Sequence, residues 1–166
     1  MKLADVNIGI SQKDRVEVSR ILAELLADEY VLYTKTRNFH WNVIGMQFSE
    51  LHKLFESQYE ELNEVIDEIA ERIRALGEPA PGNLAEFLKL ARLQESPGRT
   101  EQGDEMLSQL VRDHHALIQQ YRAEIGKVTD KHGDVGTGDF LTGLMEQHEK
   151  IAWMLRSHLE RVSSAS

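Results

Sequence analysis

Two pairs of side chains able to hold a metal ion share one segment of the chain. His52 and Glu56 lie four residues apart, and so do Asp67 and Glu71. On a helix each pair projects from one side, one turn apart. His40 precedes His52 by twelve residues. Imidazole and carboxylate are hard or borderline donors suited to iron, manganese or zinc. Glu56 and Asp67 are eleven positions apart, nearly three full turns, so all four side chains fall within a sector of about 100°. Along the axis, however, the two pairs are separated by about 16 Å. One mononuclear or dinuclear site does not span that gap. Two copies of the helix packed antiparallel, with a two-fold axis near residues 61 and 62, would set the 52/56 end of one against the 67/71 end of the other. Two equivalent sites follow from the symmetry, each built from two chains.

Two other readings compete. A di-iron centre inside a single four-helix bundle is built from Glu-x-x-His motifs. The residues three before each histidine are Arg37, Ser49, Val111, Arg112, Thr129, Met145 and Leu155, and none is acidic. A solvated helix face is the other reading, because Glu50, Glu60, Glu61, Glu64 and Glu68 crowd the same segment. Spacing alone does not decide between that face and a metal site.

The elements that would position these residues read as helices almost throughout. Ser11 is a good N-cap, and Val18, Leu22, Leu25 and Leu26 follow at helical spacing. A first helix is predicted at 12–39. Gly45 breaks the pattern and folds the chain back, so that His40 reaches His52. A second helix is predicted at 47–76, stopped by Gly77 with Pro79 and Pro81 beyond. Residues 83–94 read as a short helix within a long crossover, and Ser96-Pro97-Gly98 as a turn. A third helix starts near Thr100, with an apolar stripe that includes Met106, Leu110, His114, Leu117 and Tyr121. A loop over 131–139 precedes a fourth helix at 139–161. The fold class expected is all-α, a ferritin-like four-helix bundle with a short helix in the crossover between helices 2 and 3. It forms one domain over 1–166, with an arm at 1–11 and a short tail at 162–166.

Bulk properties narrow the function further. With 28% charged residues, 41% apolar residues and no long apolar run, no transmembrane helix is expected. The N-terminus lacks an apolar h-region, which makes a cytoplasmic location the expectation. The absence of cysteine excludes disulfides, thiolate zinc sites and a cysteine nucleophile. A net charge of −9 repels nucleic acid and attracts cations.

The segment TRNFHWNVIGMQFSELHKLFESQYEELNEVIDEIAERIRALG, residues 36–77, resembles the signature of the Dps family (DNA-binding protein from starved cells). The run His40-Trp41-Asn42-Val43 with Gly45, then Phe48 and His52, and the late Asp67, Glu71, Arg72 and Ile73 are the recurring elements. GDVGTGDF at 133–140 and HEKIAWMLR at 148–156 are compatible. The resemblance implies a hollow homo-dodecamer that oxidises Fe(II), preferably with hydrogen peroxide. The ferric mineral is kept inside, which protects the cell from oxidative damage. It also implies ferroxidase ligands at a two-fold interface: His40, His52 and Glu56 from one subunit, Asp67 and Glu71 from its neighbour. The Glu56 position is often Asp in the family, so the longer side chain alters affinity or iron spacing. Trp41 is implied as an acceptor of oxidising equivalents, with interface packing as its other role. Asp134 and Asp139 match a region that lines acidic three-fold pores, although Asp139 also reads as a helix N-cap. Glu60 and Glu64 are candidate guides for ferric product, at positions different from Lys53 and Ser57, where family nucleation acids can lie. Zinc is expected to compete for such N/O donors.

The remaining histidines read as bland: His114 in the core, His115 and His132 solvated, His148 and His158 on different faces. The family's DNA-binding function is the competing reading. Phosphate contact needs accessible Lys and Arg. The arm has Lys2, Lys13 and Arg15 against Asp5 and Asp14, and the tail after Arg161 has no charged side chain. DNA binding is therefore expected to be weak or absent.

Overall fold

Helix boundaries follow the capping chemistry of the sequence. The computed structural model describes residues 6–96 and 102–160, and among them five α-helices. Helix α1 spans Gln12–Asn42, α2 Phe48–Ala75, α3 Leu84–Leu90, α4 Gly103–Gly126 and α5 Val135–Leu159. The Ser11 side chain caps α1 by accepting from the Asp14 N–H at 3.2 Å. Gly45, at φ +105°, turns the chain from α1 into α2. At the other end of α2 the Glu78 N–H donates to the Ile73 carbonyl at 3.3 Å and the Gly77 N–H to Arg74 at 3.0 Å. With Gly77 at φ +97°, this is the paired bonding that halts a helix at glycine. Asn83 caps α3 through the Glu86 N–H at 3.0 Å.

The start of the last helix differs from expectation. The cap is Asp134, not Asp139, and its carboxylate accepts from the Thr137 N–H at 2.9 Å. Residues 135–138 are therefore helical despite two glycines. Gly138 is needed there, because a Cβ would collide with the Thr129 side chain. Thr129 lies in a single π-helical turn, Lys127–Lys131, that continues α4. The expected loop over 131–139 is thus shortened from both ends.

Helices α1 and α2 form one hairpin and α4 and α5 another, while α1 also packs on α3 and α4. In α2 the buried residues Leu51, Phe55, Gln58, Leu62, Val65, Ile69 and Ile73 fall at steps of three or four. Burying each large apolar side chain contributes about 1.5–3 kcal/mol. This stripe fixes the helix about its own axis and decides which side chains face away from the bundle. Leu22, Leu25, Phe39, Leu117 and Leu155 from the other helices belong to the same buried core.

Buried polar contacts pin the long crossover and the hairpins. Asp28, fully buried on α1, accepts from the Arg92 and Leu93 backbone N–H groups at 2.6 and 2.8 Å and from Arg92 Nε at 2.8 Å. Lys35 on α1 donates to Asp113 on α4 at 2.6 Å. Burial pushes the Asp113 carboxyl up from its ordinary value, and the Lys35 ammonium pulls it partly back.

The expected arm falls partly, and the tail wholly, outside the described residues. So do Pro97 and Gly98 of the expected turn and Thr100 at the expected start of the third helix. Among the described residues no helix is long and apolar enough to cross a membrane.

The Asp28 anchor yields a measurable expectation. Asp28→Ala strips the Arg92 and Leu93 N–H groups and the Arg92 guanidinium of their acceptor, which costs about 3 kcal/mol. Asp28→Asn, which keeps one carbonyl acceptor, loses less. Thermal unfolding monitored by circular dichroism orders the three proteins accordingly.

Candidate metal centre

The hairpin α1–α2 brings His40 and His52 face to face. Their rings stack with centroids 3.8 Å apart and planes at 21°. Each ring is tied to the other residue's backbone: His40 Nδ1 lies 2.8 Å from the His52 carbonyl, and His52 Nδ1 lies 2.8 Å from the His40 carbonyl. A carbonyl only accepts, so in both neutral rings the proton sits on Nδ1. The His40 carbonyl belongs to the last turn of α1, where helix geometry leaves acceptors unpaired. Both Nε2 atoms are left as lone-pair donors. This is how metal-binding imidazoles are held elsewhere: one nitrogen is fixed by a carbonyl and the other is presented.

Aromatic rings enclose the pair. Phe48 stacks on His52 at 5.0 Å, and Tyr59 meets His40 edge-on at 5.3 Å. The Arg37 guanidinium lies 5.5, 5.1 and 5.2 Å from the Tyr33, Tyr59 and Trp41 rings. Trp41 is thus held next to His40 but is 65% exposed, as are its neighbours Ile44 and Met46 to a still greater degree.

Glu56, one turn beyond His52, is half-buried, while Asp67 and Glu71 are exposed. Among the described residues none of these three carboxylates has a hydrogen-bond or ion-pair partner. The chain brings His40, His52 and Glu56 into one neighbourhood, with Asp67 and Glu71 three turns further along α2. Among the described residues, no group of three His, Asp or Glu side chains of a single chain is arranged to hold a metal ion. What one chain displays is two incomplete sets on one rigid helix.

The end of α2 that carries Asp67 and Glu71 is clamped. Arg72 donates from Nε to Thr137 Oγ1 at 2.8 Å and from Nη2 to Asp134 Oδ1 at 3.0 Å. Asp134 is only 2% exposed, so its carboxylate is engaged in capping α5 and pairing with Arg72. The expected pore-lining role concerns contacts between chains, and within one chain this carboxylate is already engaged. Asp139 is exposed, as are Glu60 and Glu64, which line a shallow cleft with Tyr33, Tyr59 and Asn63.

Two histidines depart from expectation. His132 is buried against Asp14, with Nδ1 2.9 Å from the carboxylate, and that hydrogen bond leads in holding the Asp14 carboxyl below its ordinary value. His115 accepts from Arg156 at 2.9 Å. His114 does lie in the core, but it meets His148 there, Nδ1 to Nδ1 at 2.8 Å. Burial drives the His114 ring well below the ordinary histidine range. Glu29 and Tyr121 complete this buried group, with Tyr121 Oη donating to Glu29 at 2.6 Å. Sequence reading missed Glu29. The signal was available, since Glu29 occupies the apolar stripe of Leu22, Leu25 and Leu32 on α1.

The comparisons with known proteins agree with the geometry. Residues 20–165 match the family model described as Ferritin-like domain, and this class is the one that the paired helical hairpins define. A low temperature-induced protein of Nostoc is 48% identical over 155 residues, covering 93% of this chain and 87% of that protein. DNA protection during starvation protein 2 of Bacillus anthracis is 37% identical over 146 residues, covering 87% of this chain and 98% of that protein. The crystal structure of the Dps protein from Vibrio cholerae superposes with a TM-score of 0.88 at 31% identity, covering 96% of this chain and 99% of that one. The chain belongs to the Dps family of ferritin-like proteins.

The tautomer assignment is directly measurable. Long-range 1H–15N spectra at neutral pH are expected to show both His40 and His52 protonated at Nδ1, with Zn2+ moving their Nε2 resonances. Protonation at Nε2 in either neutral ring would contradict the reciprocal carbonyl contacts.

Proposed function

We propose that this protein is a ferroxidase that takes up ferrous iron, oxidises it between two subunits and sequesters the ferric product in a hollow homo-dodecamer. The observation that carries this reading is the locked His40–His52 pair. It presents two Nε2 donors beside Glu56, with no complementary carboxylates from the same chain. Antiparallel pairing of α2 with its symmetry mate supplies them as Asp67 and Glu71. The exposed Trp41, Ile44, Met46 and Phe48 beside the pair are what such a contact would cover. The Vibrio cholerae relative is described as a member of a superfamily of ferritin-like diiron-carboxylate proteins, which supports iron as the substrate.

In this reading the two ferrous ions are substrate. Imidazole nitrogens and carboxylates hold them close together, and each gives one electron to hydrogen peroxide. The O–O bond is cleaved with two electrons and leaves two hydroxides, so no hydroxyl radical escapes. The ferric ions move inward as oxyhydroxide, with Glu60 and Glu64 as acids along the way. Trp41 stands ready to supply an electron when only one ferrous ion is bound. Asp139 is the remaining acid for an entry pore. Zinc competes for the same donors. The location is the cytoplasm, and the benefit to the cell is removal of iron and peroxide together.

Complementation tests the shared site. His52→Ala and Asp67→Ala, each assembled alone, are expected to oxidise iron with peroxide at least tenfold more slowly than wild type in stopped-flow absorbance. Co-assembled from an equal mixture of unfolded chains, each mixed pair has one doubly defective site and one intact site, which restores roughly a quarter of the sites. A mixture no faster than its components means that the ligands are not shared between chains.

DNA compaction is the second reading, favoured by the names of relatives such as DNA protection during starvation protein 2. With a net charge of −9 and an acidic pI near 5.3, long-range repulsion of the duplex dominates. A gel shift at low salt and neutral pH is expected to leave plasmid mobility unchanged. Strong retardation would favour compaction.

A further inference from the structure

The bundle core holds a second group of donors that the interfacial reading does not use. Glu29 on α1 is fully buried. Its Oε1 lies 2.9 Å from His148 Nε2 on α5 and accepts from Tyr121 Oη on α4 at 2.6 Å. Its Oε2 has no hydrogen-bond partner at all. The far nitrogen of His148 lies 2.8 Å from His114 Nδ1, and His114 Nε2 is also buried without a partner. Tyr121, His114 and His148 are all fully buried.

A carboxylate removed from water is stable only when its charge is paired or coordinates a metal. Among the described residues no Lys or Arg touches it, His148 is its one basic neighbour, and Oε2 is unused. Two donors bound to one ion at about 2.1 Å, at right angles, stand about 3 Å apart. The Glu29–His148 separation matches that bite. The phenol of Tyr121 is a third oxygen donor on the same carboxylate, from a third helix. His114 is placed to fix the orientation of the His148 ring through its other nitrogen, as carbonyls do for His40 and His52.

We propose that Glu29, His148 and Tyr121 form a single-ion site for a divalent transition metal inside each subunit, with His114 as a positioning residue. The donor set is one imidazole, one carboxylate and one phenol(ate), hard to borderline ligands that suit iron, cobalt or zinc. It is separate from the interfacial set and does not depend on it. Binding ties α1, α4 and α5 together at one point, so the ion is a structural clamp. Entry requires transient opening of the bundle, so loading is slow and release slower.

The test uses full-length protein in the H52A/D67A background, which takes one donor from each interfacial half-site, with Co2+ as the probe. After prolonged incubation and dialysis against chelator, the expected result is one Co2+ retained per chain, with a visible absorption band and a raised midpoint of thermal unfolding. Adding H148Q or E29Q to that background is expected to abolish retention. Adding Y121F is expected to weaken it and alter the band. Loading with ferrous iron followed by oxidation with added hydrogen peroxide is expected to give a phenolate-to-ferric charge-transfer band that Y121F removes. Circular dichroism and native mass of each variant report whether it folds and assembles. Y121F, which preserves ring and volume, keeps the test intact should H148Q or E29Q not fold. Absence of retained cobalt in the folded H52A/D67A protein would overturn the proposal. So would retention unaffected by H148Q, E29Q and Y121F. Failure of the complementation experiment above would leave this result untouched, since every measurement here is made with both interfacial half-sites disabled and is read against H148Q, E29Q and Y121F.

Discussion

Two hydrogen bonds between His40 and His52, each from a ring to the other's backbone, govern the chemistry of this chain. Each bond contributes only about 1 kcal/mol net, so their importance is geometric. They settle which nitrogen of each ring carries the proton and which way each lone pair points. They also consume a carbonyl in the last turn of α1 that would otherwise need water. The turn at Gly45 and the stacked Phe48 serve this arrangement, because the reciprocal contacts form only when the two helices meet at this register.

The rest of the fold holds the register. An apolar stripe at steps of three or four on α2 sets the rotation of that helix, and its glycine stop sets its length. At the far end Arg72 locks α2 to α5 through Asp134 and Thr137. On α1, Asp28 gathers the returning crossover. These contacts leave two sets of unpaired donors on the outer face of one stiff helix, at fixed separation and orientation. The energetic weight lies in the apolar stripe, and the polar contacts select one arrangement among those that the stripe would allow.

Much of this was legible in the residues. The helical hairpins, the Ser11 cap, the Gly45 break and the Gly77 stop are local signals, and local signals survive into the structure. The donor spacing was equally legible, because it depends only on helix geometry. The family followed from a long patterned motif. What escaped was decided by contacts between distant residues. Asp134 and Asp139 are both acids in a glycine-rich stretch, and only the approach of Arg72 and Thr129 makes the first the cap and the second an exposed helical residue. His132 found Asp14 across more than a hundred positions of sequence. Glu29 went unnoticed, and only its place in an apolar stripe, repeated by His114 and His148 on other helices, betrays a buried polar centre.

Placing both donor sets on a single uninterrupted helix has a consequence for how this region can vary. The offset between them is counted in residues, at 1.5 Å and 100° each. Exchanging Glu60 or Asn63 for another helix-former leaves that offset untouched. Inserting or deleting one residue between Glu56 and Asp67 swings one set a quarter turn or more away from the other and breaks the apolar stripe as well. Along this stretch, chain length is held more strictly than the identity of most side chains.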